Sequence, residues 1–85
     1  QRGLVMSKNI TLTTYPEGTI LKSYDTFVAI KPTAAENMVT SQHYSKTTTR
    51  QINEFFGGAE KAAKVKKVSQ ETMDVIANFL QAYNK

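Results

Sequence analysis

The sequence predicts an α+β domain, with an antiparallel sheet of three to four strands in the N-terminal half packed against two C-terminal helices. Three observations lead there: apolar residues alternate with polar ones between Ile10 and Lys31, the repeat turns helical after Tyr44, and glycines and capping hydroxyls fall at the junctions. A chain of 85 residues with 40% hydrophobic and 21% charged residues has room for one core and the composition of an ordinary globular fold.

Ile10 and Leu12 alternate with Thr11 and Thr13. The run ends at Tyr15-Pro16-Glu17-Gly18, where Pro16 suits the first central position of a turn and a glycine follows. Residues 19–31 read as a hairpin hinged at Tyr24-Asp25-Thr26, with Ile20, Leu21, Phe27, Val28 and Ile30 apolar. Asp25 can close that turn through its own side chain, and a continuous bent strand is the alternative. Pro32 removes a ladder donor, so residues 31–37 are expected as a loop, and residues 38–44 as an edge strand with imperfect alternation.

Ser45 or Thr47 can cap a helix over residues 47–56, with Ile52, Phe55 and Phe56 as its apolar stripe and Gly57-Gly58 as a left-handed stop. Residues 60–68 fit either a helical turn or a short extended segment. Ser69 caps a second helix over residues 70–83, with Val68 and Met73 at staple positions and Glu71 in the first turn. On a helical wheel its apolar residues span roughly 220°, about twice the minimum stripe of a surface helix. Such an arc calls for cover from two sides, by the sheet and by either the first helix or a second copy of the chain. A homodimer centred on Phe79, Ala82 and Tyr83 is therefore expected. Both helices are expected on one face of the sheet, over a core of Leu12, Leu21, Val28, Ile30, Ile52, Phe56, Ile76, Phe79 and Leu80. Met6-Ser7-Lys8 reads as a native start, which leaves residues 1–5 as a vector-derived remnant and residues 6–85 as the single domain.

Catalytic constellations are missing. The chain has no cysteine, its one histidine, His43, has no carboxylate of metal-ligand spacing nearby, and its seven carboxylates are scattered through turns and first helical turns. No catalytic residue, metal or cofactor is expected. Without an apolar run of about 18–20 residues no membrane span is expected either, and the lack of cysteine suits a reducing, cytoplasmic compartment. A formal charge of +4 permits an anionic partner.

The richest polar stretch is residues 44–53. There Lys46, Arg50, Gln51 and Asn53 combine phosphate-binding and base-reading side chains at a helix start. Lys61, Lys64, Lys66 and Lys67 form a second basic group suited to a nucleic-acid backbone. A local reading competes: the hydroxyls cap, Thr48 packs under the apolar stripe, Arg50 pairs with Glu54 and the lysines are a solvated face. Tyr15, Tyr24, Tyr44 and Tyr83 are stacking platforms or core-edge residues.

Two segments also carry a resemblance. Ser23-Tyr24-Asp25-Thr26-Phe27-Val28-Ala29 and Tyr44-Ser45-Lys46-Thr47-Thr48-Thr49-Arg50-Gln51-Ile52-Asn53 fit the patterns S-Y-x-T-x-V-A and Y-S-x-T-T-x-(R/H)-x-x-N. The chain thereby resembles, over about residues 19–56 and loosely over the closing helix, a small domain of uncharacterised function that recurs in bacteriophage and mobile-element proteins. The resemblance implies a phage-type origin, location in the host cytoplasm and a strand-then-helix order; it transfers no activity. Together these readings give a non-enzymatic binding protein. Nucleic acid leads as its partner, and the alternative is a protein-interaction module that engages a host or phage protein through a sheet edge or the apolar last helix.

Overall fold

In the computed structural model, which describes residues 2–7 and 10–84, the period-two first half becomes five consecutive strands. They are β1 (Arg2–Ser7), β2 (Ile10–Tyr15), β3 (Gly18–Ser23), β4 (Thr26–Pro32) and β5 (Met38–Thr40), each antiparallel to the one before. Helices α1 (Lys46–Phe56) and α2 (Ala59–Ala62) lead to a sixth strand, β6 (Lys66–Val68), and the chain closes with α3 (Gln70–Tyr83). The sheet order is β1-β2-β3-β4-β5-β6. β6 runs parallel to β5, as a strand returning through a helical crossover can.

The α+β class holds, and the sheet is larger than the three to four strands expected. At one edge, residues from Arg2 onward, set apart from the domain in the sequence reading, pair with β2 as β1. At the other, residues 60–68 use both conformations left open for them, a turn of helix and then an extended strand.

The two long helices lie on opposite faces of the sheet, which corrects the expectation that both cover one face. Phe55, Phe56 and Ala62 from α1 and α2 pack with Ile10, Leu21, Val28, Ala29 and Val39. Met73, Ala77 and Leu80 of α3 pack with Tyr15, Ile20 and Ile30 on the other side. Both faces of the central strands are apolar, and a sheet of that kind needs a layer on each side. Residues Ile20 and Leu21 achieve this by simple alternation. In β4 a bulge does it: Ala29 pairs with Leu21 and Phe27 with Lys22, so Val28 is the extra residue. Val28 and Ala29 thereby join the α1 side, while Phe27 and Ile30 flank them on the α3 side.

Among the expected core residues, Leu21, Val28 and Ile30 are fully buried and Phe56 and Leu80 nearly so, with Leu12, Ile52 and Ile76 partly buried against them. Phe79 is the correction, at 67% exposed. On α3 the buried line is Met73, Ala77 and Leu80, whose i, i+4, i+7 spacing leaves Val75, Phe79 and Tyr83 on an outer line. One side of the broad apolar arc is thus uncovered.

Local signals set the element ends. Ser45 Oγ accepts from the Thr48 N–H and Ser69 Oγ from the Thr72 N–H, at 3.1 and 3.2 Å. Gly57, at φ +93°, ends α1; its N–H donates to Glu54 O and that of Gly58 to Asn53 O, a Schellman closure. Gly18 is required for another reason: a Cβ there would sit 2.9 Å from the Lys31 carbonyl oxygen on β4. No helix among the described residues is long and apolar enough to cross a membrane.

Candidate functional site

The β3–β4 hairpin tip, the carboxyl ends of β5 and β6 and the first residues of α1 and α3 converge at one end of the sheet. There the two segments Ser23–Ala29 and Tyr44–Asn53 meet. Ser23 Oγ and Thr48 Oγ1 lie 3.2 Å apart in a buried contact between β3 and α1, and Ser45 Oγ donates to Thr48 Oγ1 at 3.1 Å. Thr48, only 5% exposed, sits beneath the apolar stripe as the local reading expected, and Ser45 rather than Thr47 is the cap. Three hydroxyls thus satisfy one another where unpaired groups would cost about 1–3 kcal/mol each.

Gln70 ties α3 into the same end. Its Nε2 donates to Phe27 O and to Asp74 Oδ1, both at 2.8 Å, while its Oε1 accepts from Thr40 Oγ1 at 2.7 Å and from the Tyr44 hydroxyl at 2.8 Å. One side chain therefore links β4, β5, the β5–α1 loop and α3. Desolvation, and secondarily the Asp74 carboxylate, push the Tyr44 phenol above its ordinary value, and its hydroxyl donates to Gln70.

These contacts frame a cleft of about 210 Å³ lined by Ser23, Tyr24, Thr26, Val28, Tyr44, Ser45 and Thr48, all of which belong to the two quoted segments. Tyr24 stands at its mouth, 69% exposed, with φ +55°; it is the one non-glycine residue at positive φ among those described. That conformation costs an L-residue roughly 1–2 kcal/mol, and a ring so exposed offsets little of it through packing.

A larger groove of about 260 Å³ runs between α1, α2 and the end of β5, with Thr49, Ile52 and Asn53 on one wall, Ala59, Ala62 and Ala63 on another, and His43 and Lys67 at its border. A third concavity collects Lys61, Lys64 and Lys66 beside Glu36 and Asn37.

The eight expected contact residues accordingly divide. Lys61, Lys64 and Lys66 come together, and Asn53 and Lys67 share the groove. Lys46 and Arg50 are exposed one helical turn apart on the outer side of α1. Gln51, half-buried, is turned about 100° from Arg50 and joins none of these groups. Ala82 and Tyr83, like Phe79, are exposed on α3, and Phe79 stacks on Tyr83 at 6.2 Å between ring centroids. Of the four tyrosines Tyr15 is a core residue and the other three are exposed. Gln70 was not anticipated, because its partners come from three distant segments; its place just after the Ser69 cap gave no sign of them.

Side-chain charge is sorted along the chain. Residues 46–67 carry Lys46, Arg50, Lys61, Lys64, Lys66 and Lys67 against Glu54 and Glu60, whereas residues 70–83 carry Glu71 and Asp74 with no Lys or Arg. No curated protein and no solved structure matches the chain. A family model does match, over residues 1–75, and with that extent the chain belongs to the family of unknown function DUF8033.

Proposed function

We propose that this protein is a non-enzymatic nucleic-acid-binding module that uses the layer formed by α1, α2 and β6. The observation that carries the reading is the sorting of charge: six basic side chains against two acidic ones in residues 46–67, with α1 and α2, which bear Lys46, Arg50, Lys61 and Lys64 around them, packed on the side of the sheet away from the acidic α3. Lys46 and Arg50 on α1 and the Lys61, Lys64 and Lys66 group suit contact with phosphates, and Asn53 and Lys67 border the adjoining groove. The phage-type origin and cytoplasmic location implied by the two motifs belong to the same reading.

Titration of labelled duplex and single-stranded DNA at two salt concentrations tests it. The expected result is a log K that falls linearly with log salt, with a slope set by the number of phosphates contacted, and weaker binding for the Arg50→Ala/Lys64→Ala variant. No binding at about 50 mM salt, where phosphate contacts are strongest, rejects the proposal.

A second reading has its own observation. Val75, Phe79 and Tyr83 are each more than 60% exposed along the outer line of α3, an i, i+4, i+8 row of the kind that docks into a partner's groove. A homodimer through Phe79, Ala82 and Tyr83, or a host or phage protein in its place, fits that row. The two readings use opposite faces and are compatible.

A further inference from the structure

The cleft between the two motif segments has a chemistry distinct from the basic layer beside it. Its floor is Val28 and the bonded hydroxyls of Ser23 and Thr48, and its rim carries the Tyr24 and Tyr44 rings. Among the described residues no Lys, Arg, Asp or Glu lines it. Such a site suits a neutral, flat group that offers an aromatic face and hydrogen-bonding edges. A hydroxyl has one donor and two acceptor positions, so Ser23, Ser45 and Thr48 keep capacity for a ligand after bonding one another.

One rim ring sits on an unusual backbone conformation and the other is anchored by a hydrogen bond. Tyr24 occupies a left-handed position where glycine is the default residue, yet its side chain is 69% exposed. Tyr44 is fixed by its hydroxyl on Gln70, with 44% of its surface still open. Lys46 follows directly after Ser45 of the cleft, and Arg50 lies one turn further along the same outer side of α1. A cation row thus begins at the edge of an aromatic-rimmed cleft, which is the combination by which single strands are bound: a basic track for phosphates and rings on which bases stack.

We infer that the cleft is a stacking site for an unpaired nucleobase, with Tyr24 as the principal platform, and that the polymer bound by the basic layer is single-stranded. This inference rests on the nucleic-acid reading and narrows its ligand class. Bases in a duplex are stacked on one another and do not offer their faces to a side chain, whereas a splayed base does.

The test compares four labelled probes by fluorescence anisotropy at fixed low salt, using the full chain. They are a twelve-nucleotide oligothymidylate, the matching oligouridylate, an abasic strand of equal phosphate count, and a duplex of equal length. Binding of either base-bearing strand about ten-fold or more tighter than the abasic strand supports the inference. Tyr24→Gly, which removes the ring at a position suited to glycine, is expected to bring base-bearing strands down to the abasic level and to leave abasic binding unchanged. Tyr24→Phe is expected to retain the difference.

Equal affinity for base-bearing and abasic strands overturns the inference while leaving the nucleic-acid reading in place. So does a duplex that binds as tightly as the single strands. Failure of all four probes to bind removes the nucleic-acid reading itself, and the stacking site falls with it.

Discussion

Tyr24 and Gln70 show how single side chains define the end of the sheet where the motifs meet. Tyr24 holds a backbone conformation that costs roughly 1–2 kcal/mol for any residue with a Cβ, and glycine would be free of that cost at the expense of a more flexible unfolded chain. Tyr24→Gly is therefore expected to stabilise the protein by about 0.5–1 kcal/mol, read as a higher urea midpoint at unchanged slope. A lower midpoint would show that the exposed ring contributes packing after all. Gln70 is the opposite case, a residue whose four hydrogen bonds join three segments to α3. Gln70→Ala leaves Phe27 O and the Thr40 and Tyr44 hydroxyls without their partner, and a loss of about 2–3 kcal/mol is expected. In a domain of this size that lowers the melting temperature by roughly 10–20 °C. A shift of only a few degrees would mean that water replaces the amide.

At the level of elements, α3 is a helix with two apolar lines and only one of them covered. Met73 is fully buried and Phe79 is 67% exposed, although both belong to the same apolar arc in the sequence. Met73→Ala is expected to cost about 2–5 kcal/mol, the range for a large side chain removed from a packed core. Phe79→Ala is expected to change monomer stability by no more than about 0.5 kcal/mol. Chemical unfolding of the two variants at low micromolar concentration checks the orientation of the helix, and equal losses would contradict it. The bulge in β4 has a comparable role on the sheet. Strict alternation would place Phe27 and Ala29 on one face and Val28 and Ile30 on the other, whereas the extra residue sends Val28 and Ala29 towards α1 and leaves Phe27 and Ile30 towards α3.

For the whole molecule, the sheet separates a basic layer from an acidic helix with an apolar outer row. Perturbations of the two sides should then be independent, since they share no partners. Lys61→Gln/Lys64→Gln is expected to weaken nucleic-acid binding and reduce its salt slope by up to about 2, without effect on sedimentation. Phe79→Ser is expected to shift any self-association at high micromolar concentration towards the 9.5 kDa monomer. It should leave nucleic-acid affinity unchanged, and the combined variant should show the sum of the two effects. A combined variant that departs from additivity would indicate that dimerisation and nucleic-acid binding are coupled.

Features whose hydrogen bonds close within a few residues are the ones legible from the order of residues. Ser69 caps α3, Gly57-Gly58 ends α1 and Pro16 begins the β2–β3 turn, and in each case the residue types needed stand next to one another in the chain. Ser45 over Thr47 as the cap of α1 and a tight hairpin at Tyr24-Asp25 over a bent strand are choices made by the structure. Of the candidate site, the residues that line the cleft were legible as two motif segments, and the lysines as a group. Their meeting was not, because Ser23 and Thr48 lie 25 positions apart and only the packing of α1 on β3 brings them into contact. The tertiary structure alone decided that the helices take opposite faces, that residues 66–68 add a parallel strand, that Gln70 finds partners on β4 and β5, and that Phe79 faces outward. A hydrophobic pattern specifies that a surface be covered and leaves open by what. Which layer covers it is fixed only when the whole chain competes for the two faces of one sheet.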